Sequence, residues 1–163
     1  MRHPFHLYAA FALLPMCAFG RLGETEKELV ARYGPPVSRI AEIATARGRG
    51  VEFGSRLTFR QGEWSVACVM IEGRSAMEVC GKDGDWTGGQ IDAVLHGSAQ
   101  GERWTDMSPE ITKRVSRKWR RSDGAVATWN WKLGMTLLHP SYERARRGAE
   151  AMAKAGVPPA SGT

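Results

Sequence analysis

The chain has 163 residues, with 23 basic and 17 acidic side chains and a formal net charge of +6. This length fits one folded domain with a single modest core, which excludes an arrangement of several large domains. The basic balance suits anionic surroundings such as a cell envelope, but by itself it identifies no partner.

An export signal is predicted at the N-terminus, over residues 1–20. Arg2 precedes an apolar run at 7–19, and small residues stand where a signal peptidase would cleave. The run is shorter than the roughly 20 apolar residues of a membrane helix, and Pro15 interrupts it. Pro15 also occupies a position where lipoprotein signals have small residues, so lipid anchoring at Cys17 is not favoured. We therefore expect an exported protein, periplasmic or extracellular, with no transmembrane segment in its mature chain.

The first predicted element of the folded domain is a short helix. Thr25 and Glu28 have the spacing of a capping box, and Gly34, which two prolines follow, ends the helix. Its apolar stripe consists of Leu29, Val30 and Tyr33. A stripe this short is not stable alone, so we expect the helix to pack on another element.

A meander of antiparallel strands is predicted after this helix. Alternating or β-rich sequences occur at 51–53, 57–60, 64–71 and 77–79. A turn at Gln61 and Gly62 that sets Phe59 opposite Trp64 collects the apolar side chains on one face, which the first helix would cover. That face contains Leu57, Phe59, Trp64, Val66, Cys68 and Met70.

Two cysteines remain after signal cleavage, and an oxidising compartment favours a disulfide between them. Two registers of the second hairpin compete. One sets Cys68 opposite Val79 and keeps the apolar alternation, whereas the other sets Cys68 opposite Cys80 and turns Glu78 inward. The disulfide is slightly favoured, because a bulge near Gly73 would restore the pattern.

The second half of the chain repeats the order of a helix followed by strands. The predicted elements are a helix at 88–96, a hairpin around the turn at 122–124, a strand at 135–138 and a final helix at 140–154. Residues 108–120 fit either a helix or a strand.

The predicted fold class is therefore α+β, with short helices packed on an antiparallel meander sheet and a further helix at the C-terminus. The repeated order suggests a duplicated α-β-β-β unit. We expect one domain over 21–156, divisible into halves 21–84 and 85–156, before a disordered tail at 157–163.

One candidate interaction surface stands out in the second half. It consists of Arg117, Trp119, Arg120, Trp129 and Trp131. Cations interleaved with aromatic rings suit phosphates, anionic lipid headgroups or glycans. The competing interpretation makes the tryptophans core, and the register that sets Trp119 opposite Ala127 favours it. Arg117 is the exception on the aromatic face: it either stacks on Trp129 or marks an open face that meets a partner.

No catalytic or cofactor-binding motif is recognised. Residues 83–88 are similar to the start of a calcium loop, but the twelfth position is Val94, where a glutamate is required. His96 and His139 each have one acidic residue at helical spacing, which is too few ligands for a metal site. We expect no enzymatic activity, no cofactor and no metal.

The segment at 23–36 resembles the motif that opens the mature domain of BamE-like (SmpA/OmlA) exported lipoproteins. The matching residues are Gly23, Thr25, Leu29, Val30, Tyr33, Gly34 and Pro36. Residues 85–147 are also similar to the second half of uncharacterised exported bacterial proteins, through Trp104, the hairpin at 119–124, Leu137, Leu138 and Tyr142. The resemblance implies a fold like that of the β-lactamase inhibitor protein, and an exported, non-enzymatic domain that works through contacts with other macromolecules.

The leading functional hypothesis is a protein-binding or structural module of the bacterial cell envelope, with an unidentified envelope protein as its partner. The alternative is a basic envelope module that binds an anionic polymer, lipid or glycan. Nucleic acid is not expected as a partner.

Overall fold

The computed structural model describes residues 21–156; the predicted signal at 1–20 and the predicted tail at 157–163 lie outside the described residues. The described elements are α1 (Glu26–Tyr33), β1 (Ser38–Ala46), β2 (Arg49–Gln61), β3 (Trp64–Ile71), β4 (Arg74–Lys82), α2 (Gly88–Gly97), β5 (Trp104–Asp106), a 3-10 helix (Glu110–Thr112), β6 (Ser116–Arg121), β7 (Val126–Asn130), β8 (Gly134–Leu138) and α3 (Pro140–Ala155).

The eight described strands form one antiparallel sheet in the order β1-β2-β3-β4-β8-β7-β6-β5. Each half of the described chain is a helix followed by a four-stranded meander, which is one strand more than the predicted repeat unit. The halves join where β4 pairs with β8, with Val79 opposite Thr136. The predicted α+β fold with a C-terminal helix is confirmed.

Helices α1 and α2 cover one face of the sheet, which we call the inner face. The capping box of α1 forms as predicted, since Thr25 Oγ1 accepts a bond from the Glu28 amide and the Glu28 carboxylate accepts one from the Thr25 amide. Leu29 and Tyr33 are buried, and the Tyr33 ring centroid lies 5.3 Å from that of Phe59. The first helix therefore packs on the face that the sequence predicts.

Helix α3 covers the opposite, outer face of the first half. Small residues on the helix, Ala149 and Ala153, pack against Ala44 and Val51 of β1 and β2. A second cluster joins Val69, Ile71 and Ala76 to Phe53 and Tyr142, whose ring centroids are 5.6 Å apart. Since both faces of β3 are covered, this strand reads as an almost continuous apolar run.

The hairpin of β2 and β3 has the predicted faces but a different register. Phe59 pairs with Val66 rather than with Trp64, because the turn consists of the two residues between Gln61 and Trp64. The predicted register is therefore wrong by two residues. A shift of two leaves every side chain on its original face, so Leu57, Phe59, Val66, Cys68 and Met70 all belong to the inner core, as predicted.

The hairpin of β6 and β7 has the predicted register: Trp119 lies opposite Ala127 and Arg117 opposite Trp129. The ambiguous stretch before it contains the short 3-10 helix and then a strand. Strand pairing ends at Ser116 and Asn130, so Trp131 lies beyond the sheet and is 56% exposed. The interpretation that all three tryptophans form core is therefore wrong for Trp131.

Two strands were not predicted. In β1, Ile40 and Ile43 are three residues apart among alanines, a spacing that does not alternate. In β5, only three residues pair with β6. The predicted strands at 51–53 and 57–60 are one long strand, β2, which a bulge opposite Glu42 and Ile43 divides.

Candidate functional site

The structure does not bring the predicted interaction surface together. Trp119 and Trp129 are buried under α2 in the inner core, whereas Trp131 is exposed beyond the sheet. Arg117 and Arg120 lie three residues apart on β6, so they project from opposite faces. The five residues therefore belong to three different environments.

Arg117 is held within its own half of the sheet. Its guanidinium carbon lies 4.7 Å from the centroid of the Trp119 ring, and one guanidinium nitrogen lies 3.0 Å from an Asp106 carboxylate oxygen. Hydrogen bonding from Ser108, together with Arg117, lowers the pKa of Asp106 to about 2. Of the two alternatives that the sequence left open, stacking is the one observed, although the ring is that of Trp119 rather than Trp129.

Arg121, the last residue of β6, is a buried structural residue. Its guanidinium contacts both Asp123 carboxylate oxygens, with nitrogen–oxygen distances of 2.9 and 2.6 Å. It also donates to the Ser98 carbonyl oxygen and lies over the Trp104 ring, 5.4 Å from the centroid. The pKa of Asp123 falls to about 2, chiefly because Arg121 donates to it. Arg121 thereby ties the segment after α2 to the turn between β6 and β7.

Exposed apolar side chains occur in two loops at one end of the second half, and we call this set the apolar tip. It consists of Met107, Ile111, Val115, Trp131 and Leu133. Ile111 is 92% exposed, Leu133 is 76% exposed, and the other three are about half exposed. These side chains come from two neighbouring loops, since β6 begins where β7 ends.

Backbone hydrogen bonds fix the shape of the apolar tip. The Trp131 amide donates to the Val115 carbonyl at 3.2 Å and so joins the two loops. The Met107 amide donates to the Lys118 carbonyl at 2.7 Å, and the Val115 amide donates to the Thr112 carbonyl at 2.9 Å. The exposed side chains are therefore carried on an ordered framework, which lowers the entropic cost of binding.

The charges around the apolar tip are mostly positive. Residues 107–115 and 131–133 contain the cations Lys113, Arg114 and Lys132, against the single acid Glu110, which pairs with Lys113. The Lys132 ammonium lies 5.0 Å from the centroid of the Trp131 ring. An exposed apolar centre with cations beside it is an arrangement that suits a partner with both an apolar layer and negative charge.

A second group of functional residue types is buried beneath α1. Cys68 and Cys80 are both buried and form no disulfide, so the predicted bond is not present. Neither predicted register occurs: Cys68 lies opposite Glu78, because a bulge at Ala76 of β4 shifts the β3–β4 pairing. Glu78 does turn inward, as the second register required, and no part of it is exposed.

Burial dominates the electrostatics of this group. The Ser75 hydroxyl donates to one Glu78 carboxylate oxygen at 3.0 Å, while the other oxygen has no hydrogen-bond partner. Loss of hydration raises the pKa of Glu78 to about 7 and raises the pKa of the Cys68 thiol. Burial thus favours the uncharged carboxyl and the protonated thiol, and both groups lie in the core beneath α1.

The weaker chemical candidates have structural roles. Thr87, within the segment similar to a calcium loop, caps α2, and Asp83 pairs with Arg60 at 3.2 Å. His139 caps α3, because its Nδ1 atom accepts a bond from the Ser141 amide at 3.2 Å. Within residues 21–156, no group of three or more potential ligands is placed to hold a metal ion.

Comparisons with family models, with curated proteins and with solved structures find no match for this chain. Over the described part of the chain, the search for a helix with the length and apolar character needed to cross a membrane finds none.

Proposed function

We propose that the protein is a non-enzymatic, exported module of the bacterial cell envelope that docks on an anionic membrane surface through the apolar tip. The observation that carries this proposal is the exposure of Ile111 and Leu133, which are 92% and 76% exposed beside Lys113, Arg114 and Lys132. This develops the alternative that the sequence offered, and it moves the binding surface from Arg117 and Arg120 to the two loops.

The apolar side chains supply the first part of the binding energy. Burying a large aliphatic side chain is worth about 1.5–3 kcal/mol, so Ile111 and Leu133 together supply several kcal/mol on entering the boundary between headgroups and acyl chains. Trp131 suits the same depth, because an indole ring combines an apolar body with a polar N–H group. The tip therefore matches the layered chemistry of a membrane surface.

The cations supply the second part. Each lysine or arginine held near an anionic leaflet contributes about 1 kcal/mol, and this contribution weakens as salt screens the charges. Arg114 and Lys132 are exposed at the edge of the tip, whereas the Arg117 charge is already paired with Asp106. Arg114 and Lys132 are therefore the cations expected to face lipid phosphates.

Binding of the full chain to vesicles of phosphatidylcholine containing phosphatidylglycerol tests the proposal. Ile111→Ser with Leu133→Ser should lower vesicle affinity at least tenfold. The control Ala151→Ser with Ala155→Ser, at exposed positions of α3 outside the apolar tip, should bind like the parent. Arg114→Gln with Lys132→Gln should weaken binding and flatten its salt dependence. The control Arg120→Gln with Arg144→Gln removes the same charge elsewhere and should have little effect.

Two results would overturn the proposal. One is a parent chain that stays in solution in the presence of anionic vesicles at low salt. The other is vesicle binding that Ile111→Ser with Leu133→Ser leaves unchanged. If the parent fails to bind vesicles but retains one discrete envelope protein, and these two substitutions abolish that retention, the tip is a protein-binding surface, as the leading sequence hypothesis expects.

A further inference from the structure

The edge of the sheet formed by β1 is long and open. Strand β1 has nine residues, whereas β5 at the other edge has three. On its free side an edge strand presents unpaired N–H and C=O groups, which are a template for another strand. We infer that β1 pairs antiparallel with β1 of a second copy of this chain, so that one sheet continues through both copies.

Strand β1 lacks several of the features by which proteins protect an edge. It contains no proline and no lysine, and the extra residue of its bulge belongs to β2. Its two charged side chains are occupied within their own chain: Arg39 pairs with Glu26 of α1, and Glu42 lies 2.9 Å from Arg56 of β2. These charges therefore do not repel an approaching strand.

Three exposed apolar residues mark this edge. Val37, Ile40 and Ile43 are each more than half exposed, and Ile40 lies midway between the other two in sequence. The Val37 amide donates to the Thr58 carbonyl at 2.7 Å, so Val37 extends the line of β1. Even spacing about a central residue is what a two-fold axis requires, because each copy then meets the other with the same surface.

A two-fold axis through Ile40 pairs all three apolar residues at once. Ile40 then lies opposite Ile40 of the second copy, and each Val37 lies opposite an Ile43. The faces agree. Ile40 lies on the outer face with Ala44, which packs against α3, while Val37 and Ile43 alternate with it onto the inner face.

The same register also gives acceptable polar pairs. Each Arg39 faces Ala41 of the other copy, and each Glu42 faces Ser38, so no like charges are opposed. An axis through Glu42 would instead set two glutamates opposite each other, and an axis through Ala41 would set Ile40 opposite Glu42. The register centred on Ile40 is therefore the one that we propose.

Cross-linking of the full chain tests both the dimer and its register, in a Cys17→Ser background. Opposed residues of an antiparallel pair have Cα atoms about 4.5–5.5 Å apart, which suits a disulfide. Ile40→Cys should therefore form a covalent dimer under mild oxidation, whereas the control Ser38→Cys, an exposed position of β1 that would face Glu42 of the second copy, should not. Val37→Cys and Ile43→Cys should each stay unlinked alone and should link when mixed. Cys68 and Cys80 are buried and do not interfere in the folded chain.

Sedimentation or light scattering should show the parent with twice the chain mass of 17.9 kDa at micromolar concentrations. Ile40→Lys, which opposes two lysines on the axis, should shift the protein to monomer without changing its circular dichroism spectrum, while Ile111→Lys in the apolar tip should remain dimeric.

A parent that stays monomeric to hundreds of micromolar, or a dimer that Ile40→Cys does not cross-link, would overturn the inference. A monomer that takes up a strand from another envelope protein would overturn it as well. The inference is independent of membrane docking, since the two surfaces share no residue.

Discussion

Cys68 lies directly opposite Glu78 in the β3–β4 pair, and both residues are completely buried. Cys80 follows two residues later on the same face and is also buried. Tyr33 of α1 belongs to the same core, where burial raises its pKa and the charge of Glu78 adds to that effect. Two thiols, a carboxyl group and a phenol are thus buried in one core beneath the first helix. Their protonation should therefore differ between the folded and the unfolded chain.

Cys68 and Cys80 should be unoxidised and unreactive in the folded protein. Burial raises the pKa of Cys68, and it is the thiolate form that reacts. In a Cys17→Ser chain, a thiol reagent should therefore label almost nothing under native conditions and two groups per chain in denaturant without reductant. Zero groups in denaturant would show that the two cysteines are bonded after all.

Glu78 should make the protein less stable as the pH rises from about 4.5 to 7. The pKa of Glu78 is raised to about 7 in the folded chain from an ordinary 4.5, so in this interval the unfolded state loses its proton while the folded state keeps it. The free energy of unfolding should fall with a slope that approaches about 1.4 kcal/mol per pH unit from this group alone. Glu78→Gln should remove that slope.

Denaturant unfolding at several pH values checks this prediction. Well below pH 4.5 the Glu78 carboxyl is protonated in both the folded and the unfolded state. The free energies of unfolding of the parent and of Glu78→Gln should therefore change with pH in the same way there. Glu24 has a pKa raised by burial and contributes in the same direction, so Glu24→Gln is measured alongside. If the parent and Glu78→Gln curves run parallel across pH 4.5–7, the carboxyl group is not held neutral by the fold.

Arg121→Ala should be strongly destabilising. The change leaves the Asp123 carboxylate, the Ser98 carbonyl and the Trp104 ring without their shared partner. Because the Asp123 side chain is 32% exposed, we expect the main cost, about 1–3 kcal/mol, from the buried Ser98 carbonyl. Arg120→Ala is the matched control: it is the neighbouring arginine, it is exposed, and it should cost less than about 0.5 kcal/mol. Equal unfolding midpoints for the two variants would contradict the structural role of Arg121.

Comparing Gly134→Ala with Gly84→Ala should separate the stability lost to steric contact from the stability lost to backbone strain. Gly134 has φ of +83°, and an added Cβ would lie 2.3 Å from the Cys80 carbonyl oxygen. Gly84 has φ of +84° with open space around it. We expect Gly84→Ala to cost about 1 kcal/mol from backbone strain, and Gly134→Ala to cost at least about twice as much because β4 and β8 must move apart. Thermal unfolding of both variants provides the comparison.

Local signals predicted much of this fold. Thr25 and Glu28 identified the start of α1, and the turn before Ala125 fixed the exact register of Arg117 and Trp129. Both are short-range features, in which residues close in sequence decide the geometry. The inner face of β2 and β3 was also predicted, because face membership depends on alternation and survives a register shift of two.

Features that depend on distant parts of the chain were not predictable in the same way. The sequence of β1 lacks alternation, because the edge strand is buried at only a few positions. The bulge at Ala76 of β4, opposite Val69 and Met70, sets Cys68 against Glu78 and exists only in the pairing of two strands. The apolar tip was missed because Ile111 and Trp131 are twenty residues apart in sequence and meet only when β6 pairs with β7.

Helix α3 follows β8 directly, yet it packs on β1 and β2 at the far side of the sheet. During synthesis, the apolar outer face of the first half, with Val51, Phe53, Val69 and Ile71, therefore stays without its cover until residues 140–155 have emerged. Throughout that interval this apolar surface is exposed and can bind chaperones or other unfolded chains. The last helix is therefore the element that completes the outer core of the first half.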